Sequence, residues 1–319
     1  MDIKDIRRIG VVGAGLTGHG IAQVFASAGC DVNLHDTDTA VLETAKTRIE
    51  TNFRAFINLG LAKQQDVIDC LDRITLCPSI EVLCRGAHVV IEAIPENIDL
   101  KRKTFAEIER HAAPDAMLAS NTSAISITEI GAALKKKDRF LGTHFWNPPH
   151  VLPCVEVIRG EHTGEDVFET VYALMEKVGK VPVRVLKDVP GFIGNRLQHA
   201  MWREAISLCE QNVASAEDID KVVKYGFGAR MPFIGPLETA DLAGLVLTRD
   251  VQKYLFPFLD SAREPSPILE ELVSEGALGV RAGRGFYVWT QEKTEQFIRQ
   301  RDTVLLRILH EIIGGVKQG

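Results

Sequence analysis

The sequence has no apolar run near the roughly 20 residues that span a bilayer; its longest runs, such as Ile9 to Val12 and Ala87 to Ile91, fall far short. An integral helical membrane protein is therefore not expected. Six cysteines (Cys30, Cys70, Cys77, Cys84, Cys154 and Cys209) include no C-x-x-C pair, so the common zinc and dithiol signatures are missing and no metal is expected. The opening residues, MDIKDIRR, are charged where a signal peptide needs an apolar core, which makes a reducing cytoplasm the expected location. Basic excess is lacking as well. With 37 basic against 43 acidic residues the net charge is -6 and the pI near 5.9, which argues against a nucleic-acid partner. The basic run Lys135-Lys136-Lys137-Asp138-Arg139 is short and reads as a solvated turn rather than a phosphate-binding patch. No segment is rich in Pro, Ser or Gln and no repeat is visible, so order is expected almost throughout.

What is present is ordinary globular composition, 45% hydrophobic and 25% charged, in 319 residues, a length at which a single core usually gives way to two domains. The first half alternates short apolar runs with amphipathic stretches, the pattern of β-α-β units. Strands are predicted at 8–12, 31–34, 74–76, 88–91, 117–120, 140–143, 155–158 and 181–185. Residues 39–61, apolar at Val41, Leu42, Ala45, Ile49, Phe53 and Phe56, read as one long helix with Asp38 or Thr39 as N-cap. After Gly191 the pattern changes: 192–210 is helical in period, Ser215-Ala216-Glu217-Asp218 resembles a capping box, and no clear strand follows. Pro190-Gly191 punctuates the change, so the split is placed at 188/189.

Gly13-Ala14-Gly15-Leu16-Thr17-Gly18 follows the first strand directly and opens a helix. In that context G-x-G-x-x-G reads as a dinucleotide-binding turn, the alternative being a tight glycine turn without ligand. Gly13 permits the tight turn, Gly15 the approach of a pyrophosphate and Gly18 close helix–strand packing, while Leu16 and Thr17 sit at a helix start whose N–H groups face the anion. The α/β fold class expected is therefore an N-terminal Rossmann domain with a mostly parallel sheet, followed by an all-helical C-terminal domain. Asp36, 23 residues after Gly13, ends the second strand where a carboxylate can accept from ribose hydroxyls. No Arg or Lys follows in Thr37, Asp38, Thr39 and Ala40 to neutralise a 2′-phosphate, so the cofactor expected is NAD rather than NADP. The competing reading of Asp36 is a helix-start cap.

Phe140–Thr143 runs into His144-Phe145-Trp146-Asn147-Pro148-Pro149, where proline must turn the chain, and a second strand carries Glu156. Imidazole can take a hydroxyl proton while hydride leaves the carbon, and a carboxylate alongside fixes its tautomer. On spacing alone a histidine at a strand end is more often a satisfied structural residue than a catalytic one.

The runs GAGLTGHGIA (13–22), VIEAIPEN (90–97), SNTS (120–123), HFWNP (144–148), VEV (155–157), VPGFIGNRL (189–197) and GRGFY (283–287) resemble the L-3-hydroxyacyl-CoA dehydrogenase family, in order and along nearly the full length. That resemblance implies a homodimer in fatty acid metabolism that oxidises an L-3-hydroxyacyl-CoA to its 3-keto product. It implies His144 as general base, Glu156 as its partner, Ser123 and Asn195 on the reacting oxygen, and Glu96 with Lys101 beside the nicotinamide. The alternatives are N-cap duty for Ser123 and packing for Asn195. Helical stretches such as 305–313 are then expected between subunits, or else in an ordinary core. Two departures favour relatives that handle gulonate, carnitine or pyridine-derived alcohols without CoA. The lysine-rich helix of CoA-using members is here reduced to Lys46, Arg48 and Arg54 against Glu43 and Glu50, and Pro149-His150-Val151-Leu152-Pro153 follows the N-P-P-x-x-x-P pattern. In the altered loop 228–238 Arg230 is a candidate for a substrate carboxylate, with a solvent-facing role as its rival. A third class of reading is a binding protein that has lost catalysis, against which the joint presence of His144, Glu156, Ser123 and Asn195 counts.

Overall fold

The computed structural model describes residues 2–316, with side chains through Glu311. The chain forms two compact units, 1–195 and 196–319. In the first, strands β1 (Arg8–Val12), β2 (Asp31–His35), β3 (Ile74–Leu76), β4 (Val89–Glu92), β5 (Met117–Ser120), β6 (Phe140–Phe145), β7 (Cys154–Ile158) and β8 (Val181–Val185) form one sheet in the order β3-β2-β1-β4-β5-β6-β7-β8. Every neighbouring pair is parallel except β6 and β7. The parallel strands are continuous apolar runs because helices cover both faces. Ile9, Val11, Val89 and Ile91 point into one core, and Val12, Val90 and Leu118 into the other. Such a sheet gathers its ligand-binding loops at the carboxyl ends of the parallel strands, where the order reverses between β1 and β4.

The helix expected over 39–61 is instead two, Thr39–Glu43 and Ala45–Asn58, divided at Thr44. The cause lies in tertiary contacts that periodicity cannot show. The Thr44 hydroxyl donates to the carbonyls of Ala40 and Val41, and the Arg48 guanidinium turns back to the same Val41 carbonyl at 2.7 Å. Asp38 is the N-cap, its carboxylate accepting from the amides of Ala40 and Val41.

The second unit is built of helices, among them Ala216–Tyr225, Pro236–Ala243, Leu245–Leu255 and Gln291–Val316, with isolated bridges at Gly279, Arg284 and Val288. Ser215 caps the first of these, accepting from the Asp218 amide at 3.1 Å. Within the stretch 305–313 Leu306 is buried, and the side chains of Ile312 and Ile313 lie outside the described residues. No helix of the described residues is long and apolar enough to cross a membrane.

Candidate active site

The turn after β1 needs glycine at two places for reasons of space. Gly13 has φ +99°, and a Cβ there would lie 2.5 Å from the Ala93 carbonyl oxygen; a Cβ on Gly18 would lie 1.7 Å from the carbonyl oxygen of Gly13. Gly15 differs, because nothing of the protein lies within 4 Å of where its Cβ would be. That position therefore borders open space above the start of the helix Gly18–Ser27. Thr17 at the N-cap makes no side-chain capping bond and the first turn holds no acidic residue, so the protein leaves the helix N-terminus without a counter-charge. A pyrophosphate fits both features.

Asp36 faces this turn. Its Oδ2 accepts from the Ala14 amide at 2.7 Å and its Oδ1 from the Asp38 amide at 2.9 Å, so each oxygen retains a lone pair for a ribose hydroxyl. Asp38, not Asp36, performs the capping.

His144 and Glu156 are direct partners in the antiparallel register of β6 and β7, which puts both side chains on one face. Nδ1 of His144 lies 2.7 Å from Oε2 of Glu156. The other carboxylate oxygen accepts from the amides of Ile193 at 2.9 Å and Gly194 at 3.0 Å. Because the carboxylate only accepts, the shared proton belongs to Nδ1, and Nε2 is left with the lone pair a general base needs. Trp146 and Phe192 flank the ring at 5.3 and 6.1 Å between centroids, and the imidazole is 5% exposed. Trp146 also explains Gly194, whose Cβ would lie 2.1 Å from the indole.

Burial alone would raise the Glu156 pKa, but the hydrogen bonds from His144, Gly194 and Ile193 outweigh it and hold the carboxyl below its ordinary value. A depressed carboxyl stabilises the fold above the unfolded value of about 4.3, and this stability is lost as pH falls through the lower folded value. The stability gap between wild type and Glu156→Gln, read from urea midpoints, should accordingly shrink as pH is lowered from about 7 to about 3. A gap constant over that range would show that the Glu156 charge does not support the fold.

Ser123 and Asn195 meet through the backbone: Asn195 Nδ2 donates to the Ser123 carbonyl at 2.7 Å. Ser126, rather than Ser123, caps the helix Ile127–Gly131, and Ser123 is exposed. Glu96 holds the same loop, its Oε1 accepting from the Thr122 hydroxyl and from the amides of Ser123 and Ala124, both at 3.0 Å. Burial would raise the Glu96 pKa, yet the Thr122 bond, the Lys101 charge and the amides of Ala124 and Ile125 together lower it. Lys101 is fully buried and bound to Glu92 at 2.7 Å. Arg230 belongs to the second unit, exposed in the turn Phe227–Arg230.

Sequence reasoning passed over Glu92, Ser120, Asn121 and Lys180. Asn121 Oδ1 accepts from the Phe145 amide at 2.8 Å, tying the end of β6 to the loop after β5. Lys180 donates to the carbonyls of Pro149 and Leu152 and so pins the loop behind His144; burial pushes its pKa down to about 8. The legible signal for Glu92 was an acidic residue closing the otherwise apolar strand Val89–Glu92.

A family model for the NAD binding domain of 3-hydroxyacyl-CoA dehydrogenase matches residues 8–189, and one for the C-terminal domain of 3-hydroxyacyl-CoA dehydrogenase matches residues 191–289. The chain is 33% identical over 303 residues to 5-formyl-3-hydroxy-2-methylpyridine 4-carboxylate 5-dehydrogenase of Mesorhizobium japonicum, covering 95% of this chain and 97% of the relative. It is 40% identical over 291 residues to a probable 3-hydroxybutyryl-CoA dehydrogenase of Bacillus subtilis, covering 91% and 99%. The crystal structure of a 5-formyl-3-hydroxy-2-methylpyridine 4-carboxylic acid 5-dehydrogenase, described as an NAD+ dependent dismutase, superposes with a TM-score of 0.91 at 33% identity over 97% of this chain and 99% of that one. That of (S)-3-hydroxybutyryl-CoA dehydrogenase from Ralstonia eutropha gives 0.75 at 37% identity over 90% and 100%.

Proposed function

Because the chain belongs to the 3-hydroxyacyl-CoA dehydrogenase family, it is an NAD-dependent oxidoreductase of CH–OH groups, and we propose that His144 and Glu156 are its general base pair. The observation that carries this is the 2.7 Å bond that orients the imidazole and leaves Nε2 bare. Bound NAD supplies the hydride acceptor. Nε2 of His144 takes the hydroxyl proton, and Glu156 stabilises the imidazolium that results. Ser123 and Asn195 hold the reacting oxygen. Gly13, Gly15 and Gly18, with the amides of Leu16 and Thr17, receive the pyrophosphate, Asp36 the adenosine ribose, and Glu96, backed by Lys101, borders the nicotinamide. In this reading residues 1–188 carry the nucleotide, while 189–319 serve substrate binding and a homodimer. Tyr225, Phe233, Leu237 and Leu242 are all at least 75% exposed on the second unit, side chains that a second copy would cover in such a dimer.

Asp36→Ala is expected to reduce the preference for NAD over NADP by about tenfold or more, read as the ratio of kcat/KM values, because the carboxylate both binds the ribose and repels a 2′-phosphate. An unaltered ratio would remove Asp36 from cofactor selection.

For the substrate we favour a small hydroxy acid or pyridine-type alcohol without CoA. Two of the three cations on the helix Ala45–Asn58 are committed to the backbone: Arg48 to the carbonyls of Ala14 and Val41, Lys46 to that of Leu71. Only Arg54 is left exposed to meet phosphates. The higher TM-score with the formylpyridine carboxylate dehydrogenase supports the absence of CoA, though that relative's named substrate is an aldehyde rather than an alcohol. The second reading, a 3-hydroxyacyl-CoA substrate, is favoured by the 40% identity to the Bacillus subtilis relative. A side-by-side assay decides between them. Turnover of free hydroxy acids or hydroxymethylpyridine carboxylates with NAD, and none of acetoacetyl-CoA with NADH, is the result expected; the reverse would establish the CoA substrate.

A further inference from the structure

The buried pair of Glu92 and Lys101 has no step in the reaction above, yet it stands where the reacting ring has to pass. A dinucleotide with its pyrophosphate at the turn after β1 and its nicotinamide at His144 on β6 must cross the ends of β4 and β5, because the strands lie in the order β1-β4-β5-β6. Glu92 is the last residue of β4 and Ser120 the last of β5.

Lys101 Nζ reaches Glu92 Oε1 at 2.7 Å, the Ile94 carbonyl at 3.3 Å and Glu96 Oε2 at 3.4 Å. Glu92 accepts in addition from the Ile94 amide at 2.7 Å and the Ser120 hydroxyl at 2.6 Å. The side chains of Glu92 and Lys101 are 0% and 1% exposed, whereas that of Glu96 is 39% exposed. Two carboxylates therefore share one ammonium, and the charge left over sits on the open member, Glu96. The oxidised nicotinamide ring carries a positive charge and the reduced ring none, so a fixed negative charge beside it favours the oxidised form.

We infer that Glu92 is a positioning residue that cancels Lys101 internally, leaving the Glu96 charge free to hold NAD+ in preference to NADH. This rests on the reading that the nicotinamide lies beside Glu96. Without Glu92, Lys101 would neutralise Glu96 and the preference would fall.

The test compares dissociation constants for NAD+, NADH and ADP-ribose, the last a probe with no nicotinamide. Glu92→Gln is expected to weaken NAD+ relative to NADH by on the order of tenfold, with ADP-ribose unchanged. Ser120→Ala, which removes one bond to Glu92 and no charge, should leave the ratio in place. An equal loss of all three ligands in Glu92→Gln would make the pair a mere staple and overturn the inference. Glu96→Gln separates the two claims. If it moves the ratio and Glu92→Gln does not, the inference fails and the placement of the ring stands; if Glu96→Gln leaves the ratio unmoved, the placement itself fails. Should Glu92→Gln not fold, the double variant Glu92→Gln/Lys101→Met removes both buried partners, keeps the charge on Glu96 and is expected to retain the wild-type ratio. A ratio shifted toward NADH in that variant would overturn the inference.

Discussion

His144→Gln is expected to bind NAD about as well as wild type and to turn over about 10² to 10⁴ times more slowly, the usual loss when a general base is removed. The argument is geometric. His144 lies on β6, separated from the glycine turn by the width of three strands' pairing, so its loss leaves the pyrophosphate and ribose contacts alone. Glutamine keeps a polar group that can donate to Glu156, which preserves the satisfaction of that buried carboxylate. What it cannot do is accept a proton where Nε2 stands. The comparison needs kcat for the reaction and a dissociation constant for NADH, and turnover within a few-fold of wild type would remove His144 from the chemistry.

The second large effect separates two glycines of one turn. Gly18→Ala would drive a methyl group to 1.7 Å from the Gly13 carbonyl oxygen, a backbone atom with no side-chain freedom to yield. The turn must open, so both stability and NAD binding are expected to fall, stability by about 3 to 5 kcal/mol, the range of severe single substitutions. Gly15→Ala meets no protein atom within 4 Å. Stability should then change by only about 0.5 kcal/mol, as for surface positions. NAD affinity should still fall by about tenfold or more, since the added methyl enters the space where the phosphates approach. Thermal unfolding paired with NADH titration distinguishes the two. A Gly15→Ala variant that loses stability while keeping its NADH affinity would contradict the role given to that opening.

The glycine turn was legible because Gly13 and Gly18 answer backbone demands that no other residue meets while Gly15 leaves room for a ligand, and the parallel sheet because buried strands are written as unbroken apolar runs. The pairing of His144 with Glu156 was legible only as a suggestion: twelve residues and two prolines imply a return, but register decides whether the side chains meet. The break at Thr44 was not legible, since it depends on Arg48 turning inward to carbonyls from two other turns of chain. For Lys101 the resemblance implied a place beside the nicotinamide, but only the fold reveals that, of the neighbours Lys101, Arg102 and Lys103, the first is fully buried against Glu92. Long charged residues are exposed by default, so a buried ion pair leaves no periodic trace.

The most direct test of the base pair is a double-mutant cycle on kcat with His144→Gln, Glu156→Gln and both together. Glutamine at 156 retains a carbonyl oxygen to accept from the Ile193 and Gly194 amides, so the loop they belong to is spared. If Glu156 acts through the imidazole, the double variant should be no slower than His144→Gln alone. Losses that multiply would mean that the carboxylate serves the reaction independently of the histidine, and the pairing would have to be abandoned.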